Sequence, residues 1–471
     1  SKIEVNTVDV QCGSTLTLGS SGKTVQIATG ASTVGMGRTG AVDWCTTAKT
    51  SPFTGESGKG YFVNTTSGAV TVTLPSSPSA GDIIAVKDYA NTFDTNNLTI
   101  GRGGSKLAGV CVDAILSTEG DSITLVYVDA TKGWLNVQTD DTVAGNAFVE
   151  ATGGTILTCG NFKTHVFTGD SNFVVTNAGL PSGSTTIDYT VIGGGAGGGS
   201  GGGPAYMGGA GGAGGFRLSN SVGCLAAPVM SPLSNPTGVT VSVQSYPITI
   251  GAGGAKSPSS NTKGASGSVS TAFSISSAGG GNGGAGTGPD STGGNGGSGG
   301  GGTSGGGGGS GNTPPVSPPQ GNNGSTGYPG NNNGGGGGGG AGAASSASPG
   351  PHIGAAGGIG SFISDSAFGP TAPSYGEAGP VSNVRYFAGG GSGSSCAPTV
   401  GSPGQDGIAG GKGGGGRGGT GGNPGGKPAG NGTANTGGGG GGGSGCGGGS
   451  LGGGCAGNGG SGIVLVRYKF Q

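Results

Sequence analysis

At 471 residues the chain has room for about three domains, and 127 of its residues are Gly while only 8% are charged, for a net charge of −1. So small and balanced a charge excludes the electrostatic footprint that nucleic acid or an anionic membrane surface requires. A hydrophobic share of 31% is low for a globular chain, so apolar burial must be concentrated outside the glycine tracts.

The first 40 residues contain Ser14-Thr15-Leu16-Thr17-Leu18 and Lys23-Thr24-Val25-Gln26-Ile27, joined by Gly19-Ser20-Ser21-Gly22. Both runs alternate polar and apolar residues, which predicts two half-buried strands around a turn. Strands this short need neighbouring chains, so residues 1–40 read as an interlaced β-prism or β-helix segment that attaches and trimerises. The opening Ser1-Lys2-Ile3-Glu4-Val5-Asn6 lacks a basic n-region with an apolar h-region, and no apolar run approaches 18 residues. Neither signal-peptide export nor membrane insertion is expected.

Residues 41–150 have the texture of a β-sandwich-like domain. Strands are predicted at 60–64, 69–75, 81–86, 97–100, 122–128 and 133–137, punctuated by Gly, Pro, Asn and Asp at the spacing of a sandwich or barrel. No 3.6-residue apolar stripe competes with them, so helix should be scarce. Trp44 and Trp134 are expected to anchor the core.

The third region, 151–471, opens with strands predicted at 155–158, 163–168, 172–175 and 187–192 and ends in the apolar run Ile463-Val464-Leu465-Val466-Arg467-Tyr468-Lys469-Phe470. If that last strand pairs with the first group, the glycine tract becomes an insertion framed by paired strands. The tract is dense: by count, 25 glycines precede Val191 and 102 lie in residues 191–471, with seven in a row at 334–340 and again at 437–443. Ordered polyglycine adopts a three-residue-per-turn helix whose N–H and C=O groups point outward. Such helices satisfy one another's backbone groups when packed side by side, so a domain of packed polyglycine II helices is expected, with Ala, Ser and Asn on its outer faces. Collagen needs Gly at every third position, a frame that Asn431-Gly432-Thr433-Ala434-Asn435-Thr436 breaks.

Chemistry-bearing motifs are sparse. Gly22-Lys23-Thr24 resembles the end of a phosphate-binding loop, but Thr17 stands where that motif wants Gly and a strand follows instead of a helix. The eight cysteines, at 12, 45, 111, 159, 224, 396, 446 and 455, show no metal spacing and read as small buried thiols, although Cys446 and Cys455 are close enough to pair. Of the two histidines, His165 falls in a strand and His352 in a loop. No cofactor, metal or catalytic residue is assigned.

One resemblance is specific. Ser1-Lys2-Ile3-Glu4-Val5-Asn6-Thr7 with Thr15-Leu16-Thr17-Leu18-Gly19, Gly60-Tyr61-Phe62-Val63-Asn64-Thr65-Thr66-Ser67-Gly68-Ala69-Val70-Thr71-Val72, Thr124 to Trp134, His165-Val166-Phe167-Thr168, Ile248-Thr249-Ile250-Gly251-Ala252-Gly253-Gly254 and Ser461 to Tyr468 resemble the glycine-rich tail-fibre and adhesin proteins of tailed, notably marine, bacteriophages. The resemblance implies a homotrimeric virion protein, made in the host cytoplasm, whose N-terminal part docks on other tail or baseplate proteins. Its distal glycine-rich domain would present loops to a host-surface carbohydrate or outer-membrane protein. Loops on a rigid scaffold carry recognition, which makes Tyr206, Phe216, Arg217, Tyr328, Phe362, Phe368, Tyr375, Arg385, Tyr386 and Phe387 the candidate receptor contacts. A capsid decoration or head-fibre protein, a cellular glycine-rich surface protein and a polysaccharide depolymerase working through paired carboxylates are the alternatives.

Overall fold

The computed structural model of the protein describes residues 42–109, 111–138, 148–179, 184–202, 207–221, 230–330, 334–396, 407–421, 426–445 and 456–470. The expected attachment segment 1–40, the candidate contact Tyr206 and the pair Cys446 and Cys455 lie outside them. Among the described residues 32% are strand and 3% helix, so the all-β expectation holds. The chain divides into two compact units, residues 1–108 with 115–140 and residues 109–114 with 141–471.

In the first unit nine strands form two sheets, and the first six alternate between them. Strands β1 (Asp43–Lys49), β3 (Lys59–Val63), β5 (Ile83–Asp88), β8 (Ser122–Asp129) and β9 (Gly133–Asn136) form one sheet. Strands β2 (Phe53–Thr54), β4 (Val70–Thr73), β6 (Leu98–Gly101) and β7 (Ala114–Leu116) form the other. Alternation does the sorting: Val70 and Val72 are buried while Thr71 and Thr73 are only partly covered. The pairs β1/β3, β3/β5, β2/β4 and β4/β6 are parallel, because the chain leaves for the opposite sheet after each strand and returns in the same direction. Trp134 is fully buried and edge-on to Tyr127 at 5.6 Å. Trp44 corrects the expectation of a second anchor: it is 41% exposed, because β1 is the first strand of its sheet and pairs only with β3.

The second unit is framed as expected. Strands β11 (Thr155–Cys159), β12 (Phe162–Phe167), β14 (Thr186–Ile192) and β15 (Phe216–Ser219) share a sheet with the C-terminal strand Ile463–Lys469. A smaller sheet holds β10 (Val149–Thr152), β13 (Ser171–Ala178) and β16 (Ser245–Ile248). With β17 (Ser361–Ser364) and β18 (Val384–Phe387) set in a hairpin of their own, the C-terminal strand becomes β19. It lies antiparallel between β12 and β14, with Val466 opposite both His165 and Tyr189. Its alternation serves two cores. Val464, Val466 and Tyr468 join Phe173, Val175 and Ile248 on one face, whereas Ile463 and Leu465 join Val166, Phe216, Phe368 and Phe387 on the other.

Between Ile192 and Ile463, which are opposite one another, the glycine tract is held by its own backbone. Gly193, Ala196 and Gly199 donate to Gly215, Gly212 and Gly209. Gly194, Gly197 and Ser200 donate to Ser268, Ala265 and Thr262, while Gly195 and Gly198 donate to Gly460 and Gly457. The partner thus changes with every residue and returns every third. Three further stretches donate back: Gly280 and Gly283 to Gly194 and Gly197, Gly254 and Ser257 to Gly195 and Gly198, Gly440 and Gly443 to Ala196 and Gly199. Residues 193–200 therefore have six backbone neighbours, joined to them directly by backbone hydrogen bonds. Side chains are not confined to the outer faces as expected: Ala196, Ala210, Ala213, Ser392 and Ser394 are fully buried. The serines fit because their hydroxyls enter the lattice, Ser394 Oγ bonding both Gly208 N (2.9 Å) and Gly208 O (3.0 Å).

The cysteines correct a second expectation. Cys45 and Cys159 are half-buried free thiols, Cys111 is exposed, and Cys396 is disulfide-bonded. Cys45 and Cys159 stand on β1 and β11, the first strands of their sheets, each hydrogen-bonded to one neighbouring strand.

His165 is buried on β12, with Nδ1 2.7 Å from Gly153 O and Nε2 3.0 Å from the Tyr468 hydroxyl. Gly153 can make that turn because its φ is +109° and an added Cβ would stand 2.1 Å from Asn172 O. Donation from Nδ1 to the carbonyl leaves Nε2 to accept from Tyr468, whose pKa burial pushes up to about 12. Burial also lowers the His165 pKa, helped by Lys163 and opposed by Gly153 O. The unfolded chain then binds a proton that the folded one refuses, so stability falls as pH drops below the ordinary histidine value of about 6.5. The urea midpoint of the wild type should fall between about pH 8 and about pH 5, and its margin over His165→Gln should narrow over that range; a constant margin would contradict the neutral buried imidazole.

Candidate functional site

Six of the candidate contacts converge on the β17/β18 hairpin. Antiparallel register sets Phe362 opposite Tyr386 and Ile363 opposite Arg385, with the Phe362 and Tyr386 rings 5.3 Å apart. Short 3-10 turns at Asp365–Ala367 and Gly369–Ser374 follow β17. The first is capped by Ser364, whose side chain accepts from Ser366 N, and the second opens with Pro near its start. They fold Phe368 inward, stacked on Tyr375 at 4.9 Å and on Phe387 at 6.1 Å. Arg385 closes the return, its Nε donating to Tyr375 O (2.6 Å) and a terminal nitrogen to Gly376 O (3.0 Å).

This packing corrects part of the candidate list. Phe216, Phe368, Tyr386 and Phe387 are at most 5% exposed. Phe216, Phe368 and Phe387 fill the apolar core above the central sheet, while Tyr386 is buried against Phe362 and Gly379, so these rings are closed to a receptor. Phe362, Tyr375 and Arg385 are half-buried; Arg217, which reaches Ser276 O at 3.5 Å, and Tyr328, whose N–H donates to Gly334 O, are half-buried too.

Beside the hairpin, Thr164, Asp188, Thr190, Leu218, Phe362 and Arg467 help to line a cleft. Strand register builds its floor, because Arg467 of β19 lies opposite Thr164 of β12 and Asp188 of β14. Asp188 Oδ1 accepts from Ser219 Oγ (2.8 Å), Ser221 N (2.7 Å) and Ser221 Oγ (2.8 Å). Arg467 lies 3.9 Å over the Phe162 ring, and its Nε is buried without a hydrogen-bond acceptor among the described residues. Burial lowers the Arg467 pKa while Asp188 opposes the shift, and the guanidinium stays charged. Neither residue was singled out from sequence, although the signal was present: Arg467 occupies the same alternation row as Ile463 and Leu465, where a core hydrophobe belongs.

Residues 168–469 match the family described as glycine-rich domain, a span that opens just after β12 and closes with the last residue of β19. The chain belongs to the glycine-rich domain family. The glycine-rich domain thus takes in the lattice, the hairpin and most of the strands that frame them. No curated protein matches the chain significantly in sequence. Among the described residues no helix is long and apolar enough to cross a membrane, and no three His, Cys, Asp or Glu side chains are grouped to hold a metal ion.

Proposed function

We propose that the protein is a structural virion component, a homotrimeric tail fibre whose glycine-rich domain is a bundle of polyglycine II helices presenting loops to a host-cell surface receptor. The observation that carries this reading is the three-residue rotation of hydrogen-bond partners along 193–200. A helix with three residues per turn aims successive N–H groups about 120° apart, and a bundle of such helices needs no apolar core. A scaffold held by backbone alone leaves its connecting loops free to vary without cost to the interior, and recognition residues concentrate on loops of that kind. The half-buried Tyr328, Phe362 and Tyr375 are the contacts that remain open to a receptor, either a surface carbohydrate or an outer-membrane protein.

Antibodies against residues 191–471, detected by immunogold electron microscopy on the source particles, test the assignment. Gold at the tips of fibres projecting from a tail is the expected result; gold spread over the capsid would make the protein a decoration protein, and labelling of cells alone would sink the virion reading. The same reading expects a native mass about three times the 43.4 kDa of the chain.

A further inference from the structure

The two sheets of the first unit wear different outer faces. On the sheet of β2, β4, β6 and β7 the register sets Thr54 beside Thr73 and Thr71 beside Thr99, a row of hydroxyls that water solvates, interrupted at β7 by the exposed Ile115. On the sheet of β1, β3, β5, β8 and β9 both faces are apolar. Tyr61, Val63, Ile84, Val86, Leu125 and Trp134 line the core and are at most 4% exposed. The alternate positions should then be polar, yet register aligns Trp44 with Gly60, Ile83 with Val126 and Val126 with Leu135. Phe62 follows two residues after Gly60, its ring 5.0 Å from that of Trp44. The middle strand β5 reads Ile83-Ile84-Ala85-Val86 without a polar break. A solvated sheet alternates, whereas an unbroken apolar strand is one covered on both sides. Trp44 is nevertheless 41% exposed and Val137, two residues past Leu135, 60% exposed, while Phe62, Val126 and Leu135 are half-buried.

We propose that the outer face of this sheet is the seat of the chain's own segment 14–27, which lies outside the described residues. Runs 14–18 and 23–27 each carry one apolar row, Leu16 with Leu18 and Val25 with Ile27, which neither run can bury alone. Packed as a hairpin on Trp44, Phe62, Ile83 and Val126, they add a third layer whose side chains interdigitate as between the sheets of a sandwich. The chain enters at the right place: Val42 and Trp44 both lie over Gly60, where an added Cβ would stand 2.8 Å from Val42 Cγ2 and 2.7 Å from the Trp44 ring. From Ile27 to Val42 the backbone can span about 50 Å, twice the width of five strands, about 24 Å. The same dimensions decide against a second copy. Five strands about 4.8 Å apart, each offering about 16 Å of length, make a face of about 400 Å², whereas each partner of a stable two-chain interface buries about 800 Å². Charge selects no partner either, since these rows carry one charge among the described residues, Lys87 opposite Phe62. A tethered segment needs no such selection, because its effective concentration is high. The inference goes beyond the fibre reading and does not depend on it.

Iodide quenching of tryptophan fluorescence on the full chain reads the cover, since of the two tryptophans Trp134 is fully buried and Trp44 is the indole a quencher can reach. Wild-type Trp44 should be shielded, and Leu18→Asp combined with Ile27→Asp should raise its quenching severalfold while circular dichroism stays that of the wild type. Wild-type quenching as strong as that of free indole, or no rise in the double variant, would overturn the proposal. Should the variant fold poorly, amine cross-linking of the wild type with mass spectrometry decides: Lys23, which opens the second run of the segment, should link to Lys87 within one chain. A mixture of isotope-labelled and unlabelled chains identifies the source of each link. Lys23 to Lys87 links found only between chains would hand the face to a second copy, and links from Lys87 to lysines of residues 141–471 with none to Lys23 would hand it to the second unit; either result sinks the proposal.

Discussion

Replacing Gly338 by Ala, a change of one methyl group, is expected to abolish folding of residues 141–471, while Gly307→Ala leaves the fold intact. An ideal Cβ on Gly338 would stand 2.1 Å from Gly211 O and 2.6 Å from Gly211 C, both backbone atoms with no rotamer to turn away. Carbon and oxygen tolerate about 3.3 Å, so the two stretches must part by more than an ångström. The carbonyl that would be struck already accepts from Gly391 N, and Gly338 N donates to Gly391 O, so the displacement breaks a lattice shared by three segments. Overpacking costs about 1–3 kcal/mol, and each hydrogen bond lost adds about 1 kcal/mol. Over the several bonds made by 335–341 the total reaches about 5 kcal/mol, comparable with the whole stability of a domain. At Gly307 a Cβ meets nothing within 4 Å and φ lies outside the left-handed region, so alanine there should be neutral or add about 0.4–1 kcal/mol by restricting the unfolded chain. Thermal melts followed by circular dichroism decide it: a Gly338→Ala protein with the wild-type midpoint would mean that the close backbone approach does not hold this unit together.

Much of this was legible in the sequence because it rests on local signals. Alternation in Val70-Thr71-Val72-Thr73 places that strand at β4, and the apolar run after Gly462 announced β19 and its role in closing the glycine tract. What escaped were properties set by distant partners. The parallel winding of β1 to β6 follows from which sheet each strand returns to, and no single strand encodes that. Trp44 is apolar and aromatic like Trp134, and only its place on an edge strand leaves it exposed. Phe216 and Phe368 lie beside glycines and Phe387 two residues before one, and so read as loop aromatics, yet they pack together on the face of β19 that carries Ile463 and Leu465. The buried Ser392 and Ser394 show the same limit, since their tolerance depends on a carbonyl or an N–H supplied by Ala409, Gly357 or Gly208, far away in sequence. Arg467 was recoverable from alternation, but its lack of an acceptor was not.

Ending the chain after Gly462 should unfold residues 141–471 and leave the first unit folded. The deleted β19 is the middle strand of its sheet, and its removal strips β12 and β14 of the ladders that each makes with it. Those strands become facing edges with unpaired N–H and C=O groups, a state that invites aggregation. Both cores open together, because Val464, Val466 and Tyr468 leave one face while Ile463 and Leu465 leave the other. Losing a buried residue of this size costs about 2–5 kcal/mol, so five of them exceed the stability of any ordinary domain. The lattice cannot survive alone, since Gly193 to Ser200 emerge from β14 at the point where Ile192 faces Ile463, and Gly462 N donates to Gly251 O at the same end. The first unit contributes no residue to this sheet, so its own amide signals and protease resistance should persist. Limited proteolysis with mass spectrometry reads both halves at once. A truncated chain that keeps residues 193–445 protected would show the glycine lattice to be an independent folding unit, and the frame around it to be dispensable.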